Sequence, residues 1–173
     1  MIPLLLALLA GAVPLQSEAV ADPLAPAKAG RIRCVDPDRA NRTCGTIVRY
    51  TLRGDGAFDA LVTGVVNRDP LIVLEYSTYG LVKDGAVCSR IRPADFNAGR
   101  LSTNGTALSP TLETNTRAKL LEALQPLAGH ERCYRDSGAG ELTVNVTIDG
   151  LLRSDMSQTA IWVLPEDGYA PGR

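Results

Sequence analysis

Only one histidine, His130, is present in this 173-residue chain, and that limits its acid–base chemistry. Any Ser-His-Asp or Cys-His arrangement would have to use this imidazole. Glu131 and Asp136 follow closely, but the sequence contains no G-x-S-x-G nucleophile elbow. We interpret His130 mainly as an exposed residue beyond a helix end, where its cationic form is favoured, and retain it as a catalytic candidate.

Glu75 is the second catalytic candidate, because it interrupts an apolar strand in the run Leu74-Glu75-Tyr76. A carboxyl group in such surroundings can have the perturbed pKa that is typical of site acids. The more common explanation is that the residue marks the solvated face of the strand. These two side chains define one alternative function, a small exported hydrolase that uses Glu75 or His130.

No acidic cluster has the spacing of a metal site. Asp36-Pro37-Asp38 and the run from Asp55 to Asp59 contain close carboxylates, but neither has the D-x-[DN]-x-[DN]-G pattern of a calcium loop. Gly-rich nucleotide fingerprints are also missing from the sequence. The sequence therefore predicts no metal and no cofactor. Aromatic residues offer two candidate binding residues, Tyr79 at a strand end and Tyr134.

The four cysteines predict two disulfides. Their wide spacing differs from the close C-x2-C pairs of zinc sites, and an even number of cysteines after a secretory leader favours oxidation. Three connectivities are possible. We favour Cys34 with Cys44, which closes a short turn-rich loop, and Cys88 with Cys133.

The first 21 residues have the features of a secretory signal peptide. Residues 1–15 contain no charged side chain, and this apolar run is too short to span a bilayer. The small-residue pattern Ala19-Val20-Ala21 follows as a cleavage site. No cysteine follows directly, so no lipid anchor is predicted. Because the composition is rich in alanine, glycine and arginine but poor in lysine, we expect a periplasmic or secreted bacterial protein released by cleavage of this leader.

Charge is almost balanced, with 18 basic and 19 acidic residues and no basic stripe. This argues against nucleic acid and membrane surfaces as partners. The remaining partner classes are another envelope protein or a small ligand, and the oligomeric state is left open.

Hydrophobic periodicity predicts strands joined by hairpins. Apolar and polar residues alternate at 48–53 and 142–148, further strands are predicted at 58–67, 71–79, 86–91 and 159–164, and Asp84-Gly85 and Asp149-Gly150 are hairpin turns. One helix is predicted after Ser109, beginning at Pro110 and ending before Pro126 and Gly129. The segments 34–44 and 130–136 are predicted to be loops.

These elements predict an α+β fold, with an antiparallel sheet of about five to seven strands, one main helix packed on a face, and two disulfides. The single domain would span 32–165, after a flexible arm at 22–31 and before a loose tail at 166–173. The expected function is that of a non-enzymatic, disulfide-stabilised binding or interaction module. A third possibility is an inhibitor of a secreted enzyme that presents the loop between Cys34 and Cys44.

Overall fold

The computed structural model describes residues 22–172, so the predicted leader at 1–21 lies outside the described residues. Twelve strands form one continuous hydrogen-bonded sheet. In chain order the strands are β1 (Ile32–Asp38), β2 (Thr43–Leu52), β3 (Ala57–Arg68), β4 (Leu71–Lys83), β5 (Ala86–Arg90), β6 (Arg100–Thr103), β7 (Thr106–Ala107), β8 (Glu131–Ser137), β9 (Leu142–Ile148), β10 (Leu151–Leu152), β11 (Gln158–Val163) and β12 (Ala170–Pro171). The helices are α1 (Ala25–Lys28), α2 (Pro93–Ala98) and α3 (Pro110–Leu124), with 3-10 turns at Gln125–Leu127, Ser154–Met156 and Pro165–Asp167.

Eight of these strands close into an antiparallel barrel. The ring runs β1-β2-β3-β4-β5-β8-β9-β11, and β11 pairs with β1 to complete it. Closure gives each of the eight strands a neighbour on both sides. The segment inserted between β5 and β8 contains α2, the β6–β7 hairpin and α3, and β6 pairs with the first half of β4.

The predicted α+β fold, a sheet of five to seven strands with the main helix on one face, is wrong. The prediction left out β1 and β8, and without these strands the sheet cannot close. Both strands direct charged side chains inward, Arg33 from β1 and Arg132 from β8, so the alternation of apolar and polar residues does not reveal them. Helix α3 has the predicted position in the sequence, but Leu120 on it helps to line the barrel interior.

Two predicted hairpin turns are present, and their backbone explains their residue types. Asp84 and Gly85 have φ values of 48° and 73°, and Asp149 and Gly150 have values of 47° and 81°. A two-residue type I′ turn needs positive φ at both central positions, and the Asp-Gly sequence adopts such values readily. The turns join β4 to β5 and β9 to β10.

Leu24 closes one end of the barrel. Its side chain is fully buried against Phe58, Ala60 and Val87. We expected a flexible arm at 22–31, and the structure has α1 there, ahead of β1. Burial of a leucine side chain contributes about 1.5–3 kcal/mol, and this contact holds the segment against the barrel.

The C-terminal segment, expected to be loose at 166–173, lies against the outside of the barrel as far as residue 172. Strand β12 pairs in parallel with β2, and the backbone amide of Gly172 donates to the Cys44 carbonyl at 3.1 Å. Tyr169 packs on an apolar cluster that includes Ile47, Ile161 and the first disulfide.

Both favoured disulfides are present, Cys34–Cys44 and Cys88–Cys133. The first joins β1 to β2. The second joins β5 to β8, where Cys88 and Cys133 lie directly opposite each other. Disulfides are consistent with an oxidising, extracytoplasmic location. Among residues 22–172, no helix has the length and apolar character needed to cross a bilayer.

Gly80 marks the closest approach within the barrel wall and gives a test of the fold. A Cβ atom at this position would lie 2.0 Å from the Cys88 carbonyl oxygen and 2.6 Å from Phe58 Cζ. Because the oxygen belongs to the backbone of β5, we expect Gly80→Ala to lower the free energy of unfolding by about 1–3 kcal/mol or more. Urea unfolding followed by tryptophan fluorescence measures the loss.

Gly54→Ala is the matched control, because a Cβ atom there meets nothing within 4 Å. It should leave stability within about 0.5 kcal/mol of the unmodified protein. Equal stability of the two variants would contradict the close approach of β4 and β5.

Candidate functional site

The barrel interior contains a cavity of about 220 Å³. Side chains at alternate positions of the strands form its wall, as expected for the inward face of a pleated sheet. Much of the wall is apolar and comes from both the strands and the inserted segment: Val48, Phe58, Ala60, Val62, Leu74, Val87, Phe96 and Leu120. An engineered cavity of about 150 Å³ holds benzene, so this one can accommodate a ligand of roughly ten non-hydrogen atoms.

An ion pair crosses the interior from β1 to β8. Arg33 Nη1 and Nη2 donate to the two carboxylate oxygens of Asp136 at 2.8 and 2.6 Å, in the bidentate geometry that arginine favours. The two side chains are only 3% and 15% exposed. Burial opposes the charge on Arg33, but nearby Tyr50 and the Asp136 carboxylate outweigh it and raise the pKa of Arg33.

Arg132 is the second guanidinium inside the barrel, and it has no such partner. Its Nε atom is buried and forms no hydrogen bond, and no carboxylate of the described residues forms a salt bridge with it. The guanidinium carbon lies 5.0 Å from the centre of the Tyr134 ring. An unpaired buried donor costs about 1–3 kcal/mol, and more when the group is charged.

The titration of Arg132 supports this description. Burial is the largest influence and lowers its pKa, whereas Tyr134 and Tyr76 raise it and give a net upward shift. The charge contributions of tyrosines require phenolates, which form only in alkaline solution. At neutral pH the buried guanidinium therefore faces neutral hydroxyl groups and aromatic rings.

Three tyrosines share the cavity wall with the arginines: Tyr50, Tyr76 and Tyr134. Burial raises the pKa of Tyr50 and that of Tyr76 to about 12. Both stay protonated across the physiological range and present neutral hydroxyl groups. With Arg33 neutralised by Asp136, Arg132 is the remaining charged side chain among the described residues that line the cavity.

The two binding candidates from the sequence occupy different places. Tyr134 lines the cavity. Tyr79 is 53% exposed on the outside, where the Arg92 guanidinium stacks on its ring at 3.6 Å from the centroid. Only Tyr134 therefore joins the candidate site.

The two catalytic candidates do not line the cavity. Glu75 lies between the inward-facing Leu74 and Tyr76, and its side chain is 37% exposed with Arg100 Nη2 at 3.5 Å. His130 Nδ1 is 2.5 Å from a carboxylate oxygen of Asp149, on a side chain that is 47% exposed. The structure does not bring Glu75 and His130 into one cleft.

One group of metal-type ligand atoms occurs among residues 22–172, formed by Cys88, Glu131 and Cys133 within 4.8 Å of one another. The two sulfur atoms are bonded to each other in a disulfide. They are therefore not available as thiolate ligands.

A gap in the strand pairing lies beside the site. β4 pairs with β5 only from Gly80 onwards and with β6 only up to Glu75, so the stretch 76–79 has no strand partner on that side. Helix α2 covers this stretch through side chains. Phe96 packs on the Tyr76 ring at 4.3 Å, and Arg92 and Asp95 bond the Thr78 hydroxyl at 2.9 Å.

Sequence reasoning missed Arg33, Arg132 and Asp136 as site residues. The run Arg132-Cys133-Tyr134-Arg135-Asp136 contains a signal for Arg132 and Asp136. Together with Tyr134 they occupy alternate positions, which lie on one face of a strand. The charge of this inward face concealed it, since inward positions are expected to be apolar.

Comparison with known proteins identifies no relative: no protein-family model matches the chain, and no curated protein or solved structure is significantly similar to it.

The two buried arginines should respond in opposite ways to substitution by methionine, which has a similar unbranched stem. Arg33→Met leaves the Asp136 carboxylate without its partner and should destabilise the protein by about 3–5 kcal/mol. Arg132→Met removes an unpaired cation. The free energy of unfolding of this variant should be no more than about 1 kcal/mol below that of the unmodified protein. Chemical unfolding at pH 7 compares them. Equal losses would contradict the difference in pairing.

The tyrosines make stability depend on alkaline pH. In an unfolded chain they ionise near pH 10, whereas in the folded protein Tyr50 and Tyr76 hold their protons to about pH 12. The folded state binds more protons in this window, so the free energy of unfolding should fall between pH 10 and 12, by up to about 1.4 kcal/mol per pH unit for each residue. Tyr50→Phe should reduce this slope relative to Tyr79→Phe, and equal slopes would argue against burial of Tyr50.

Proposed function

We propose that this protein is a non-enzymatic binding module that holds a small, mainly apolar molecule inside its barrel. The observation that carries the proposal is the interior cavity of about 220 Å³, whose wall combines apolar side chains with inward arginine and tyrosine groups. Ligand sites in proteins commonly have this composition, since apolar contact supplies affinity and a few polar groups fix orientation.

Chain packing supports a cavity that exists without its ligand. Leu24 closes one end of the barrel, and Phe96 and Leu120 from the inserted segment contribute to the wall. A preformed site needs little ordering when the ligand enters, which favours affinity.

The gap beside β4 offers a route of entry. Along 76–79, α2 is attached by side-chain contacts, so a ligand could pass there without breaking a strand ladder. Movement of α2 would expose Tyr76, which faces the cavity.

The other functional hypotheses have weaker support. Neither Glu75 nor His130 lines the cavity, and no histidine, cysteine or carboxylate is among the described residues that do. The Cys34–Cys44 segment is a β-hairpin whose strands join the barrel wall. No observation favours a protein partner over a small ligand.

We further propose that the chain is exported, with residues 1–21 as a cleaved signal peptide, to the periplasm or the external medium of a bacterium. The two disulfides support an oxidising destination. The apolar opening and the Ala19-Val20-Ala21 pattern support the leader.

Titration of the oxidised protein with octanamide, an uncharged probe of ten non-hydrogen atoms, tests the binding function. Calorimetry should give a saturable 1:1 isotherm with a Kd of roughly 1 mM or tighter. In ¹⁵N–¹H spectra, the shifts should include the inward-facing Val48, Val62 and Val87. Shifts confined to exposed residues such as Leu81 would contradict binding inside the barrel.

Two neighbouring substitutions on β3 provide the matched control. Val62 faces the cavity, and Leu61 is 37% exposed on the outside. Val62→Phe should fill part of the cavity and weaken octanamide binding at least about tenfold, while Leu61→Phe should leave binding unchanged. Circular dichroism tests whether each variant is folded. If Val62→Phe does not fold, the ¹⁵N–¹H spectra of the unmodified protein with octanamide still test whether binding occurs inside the barrel.

A further inference from the structure

We infer that the ligand of this barrel is a monoanionic carboxylic acid whose carboxylate pairs with Arg132 while its apolar part fills the rest of the cavity. This inference rests on the proposed binding function and adds the chemical class of the ligand. Its basis is the Arg132 guanidinium, whose buried Nε–H forms no hydrogen bond and which has no carboxylate partner within the part of the chain that the structure describes.

The charge balance inside the barrel specifies the charge of the ligand. Asp136 is occupied by two short hydrogen bonds from Arg33, and Asp95, near the gap, is paired with Arg92 at 2.9 Å. The remaining unpaired charge is that of Arg132. A single negative charge neutralises the interior, whereas a dianion would leave an excess charge in a medium that screens it poorly.

The donors around Arg132 specify a carboxylate. A guanidinium presents planar, parallel N–H groups that match the two oxygens of a carboxylate. Its Nε–H has no acceptor in the protein. The Tyr76 hydroxyl oxygen accepts from the Arg132 guanidinium, which leaves its own O–H free to donate, and Tyr134 belongs to the same wall.

The size and lining of the cavity specify the remainder of the ligand. Away from Arg132, the wall includes Val48, Phe58, Ala60 and Val87, with Leu24 behind them at the closed end. These side chains offer only apolar contact. A straight chain of about eight carbons or one aromatic ring with a short acid side chain fits a cavity of this size.

A buried water molecule is the competing explanation of the free Nε–H, because internal water commonly satisfies isolated polar groups. Water would satisfy the donor but leave the positive charge without a counterion. The two explanations predict different affinities. An anion site binds a carboxylate more tightly than the corresponding uncharged amide, whereas a water site has no such preference.

The experiment compares octanoate with octanamide, which have the same number of non-hydrogen atoms, by calorimetry at pH 7.5. The unmodified protein should bind octanoate roughly 10- to 100-fold more tightly than octanamide, as expected for hydrogen bonds to a charged group. 3-Phenylpropanoate and its amide repeat the comparison with a ring. Octyl phosphate, a dianion at this pH, should bind more weakly than octanoate.

Arg132→Met should remove the preference, bringing octanoate to the affinity of octanamide while octanamide changes less than about twofold. Arg135→Met is the matched control, because Arg135 is an exposed arginine on the same strand, and it should keep the full preference. Arg132→Lys should retain part of it, since lysine keeps the charge but lacks the planar fork.

A measurement on the unmodified protein does not depend on the folding of any variant. Octanoate should shift the ¹⁵N–¹H resonance of Arg132 Nε, and octanamide should shift it much less. The outcomes separate the two proposals. Equal affinity for acid and amide, or equal loss of both in Arg132→Met, would overturn the carboxylate assignment and leave the binding function intact. Absence of binding by every probe would overturn both.

Discussion

The bidentate pair between Arg33 and Asp136 is the interaction on which the barrel interior depends. It joins β1 to β8, which are separated in the ring by β9 and β11, so it spans the interior and does not merely link neighbouring strands. A closed barrel forces alternate residues of every strand inward, whatever their chemistry. For β1 and β8 those residues include Arg33 and Asp136, and these two charges are compatible with a core because they meet. The pair satisfies both groups at once, and Arg132 is left as the inward charge of the described wall that has no carboxylate partner.

The same constraint explains what could be predicted from the sequence and what could not. Strands β3, β4, β5, β9 and β11, the helix α3 and both disulfides follow from apolar alternation, Asp-Gly turns, helix-start residues and cysteine spacing. β1 and β8 were assigned to loops because their inward side chains are charged, and the omission turned a closed barrel into an open sheet. The two strands of the closed ring that the sequence pattern does not reveal are those that carry Arg33, Arg132, Tyr134 and Asp136. The two missing strands and the candidate site are therefore hard to predict for the same reason. Their inward face is polar, whereas the alternation that indicates a half-buried strand requires an apolar inward face.

Wall construction differs on the two sides of β5. On one side, Cys88 and Cys133 bond β5 directly to β8, the two strands between which the inserted segment leaves and rejoins the ring. On the other side, β4 runs past the end of its pairing with β5 and is covered by α2 through Phe96, Arg92 and Asp95. A covalent bond fixes this junction, whose two cysteines are 45 residues apart along the chain. The neighbouring stretch is held by side chains alone, which is the weaker attachment.

Arg132 is costly to a protein that only needs a stable barrel. Leucine or methionine at this position would fill space in the wall without the desolvation that a guanidinium suffers, and buried charges are commonly replaceable by apolar residues without loss of stability. Arg33 differs, since its partner Asp136 would be left unpaired by the same change. A cation whose Nε–H is buried without an acceptor lowers the stability of the protein, and an anion that paired with it would remove this cost. The position of that cation within an apolar cavity, and not the cavity alone, is therefore the strongest physical reason to regard the interior of this barrel as a binding site.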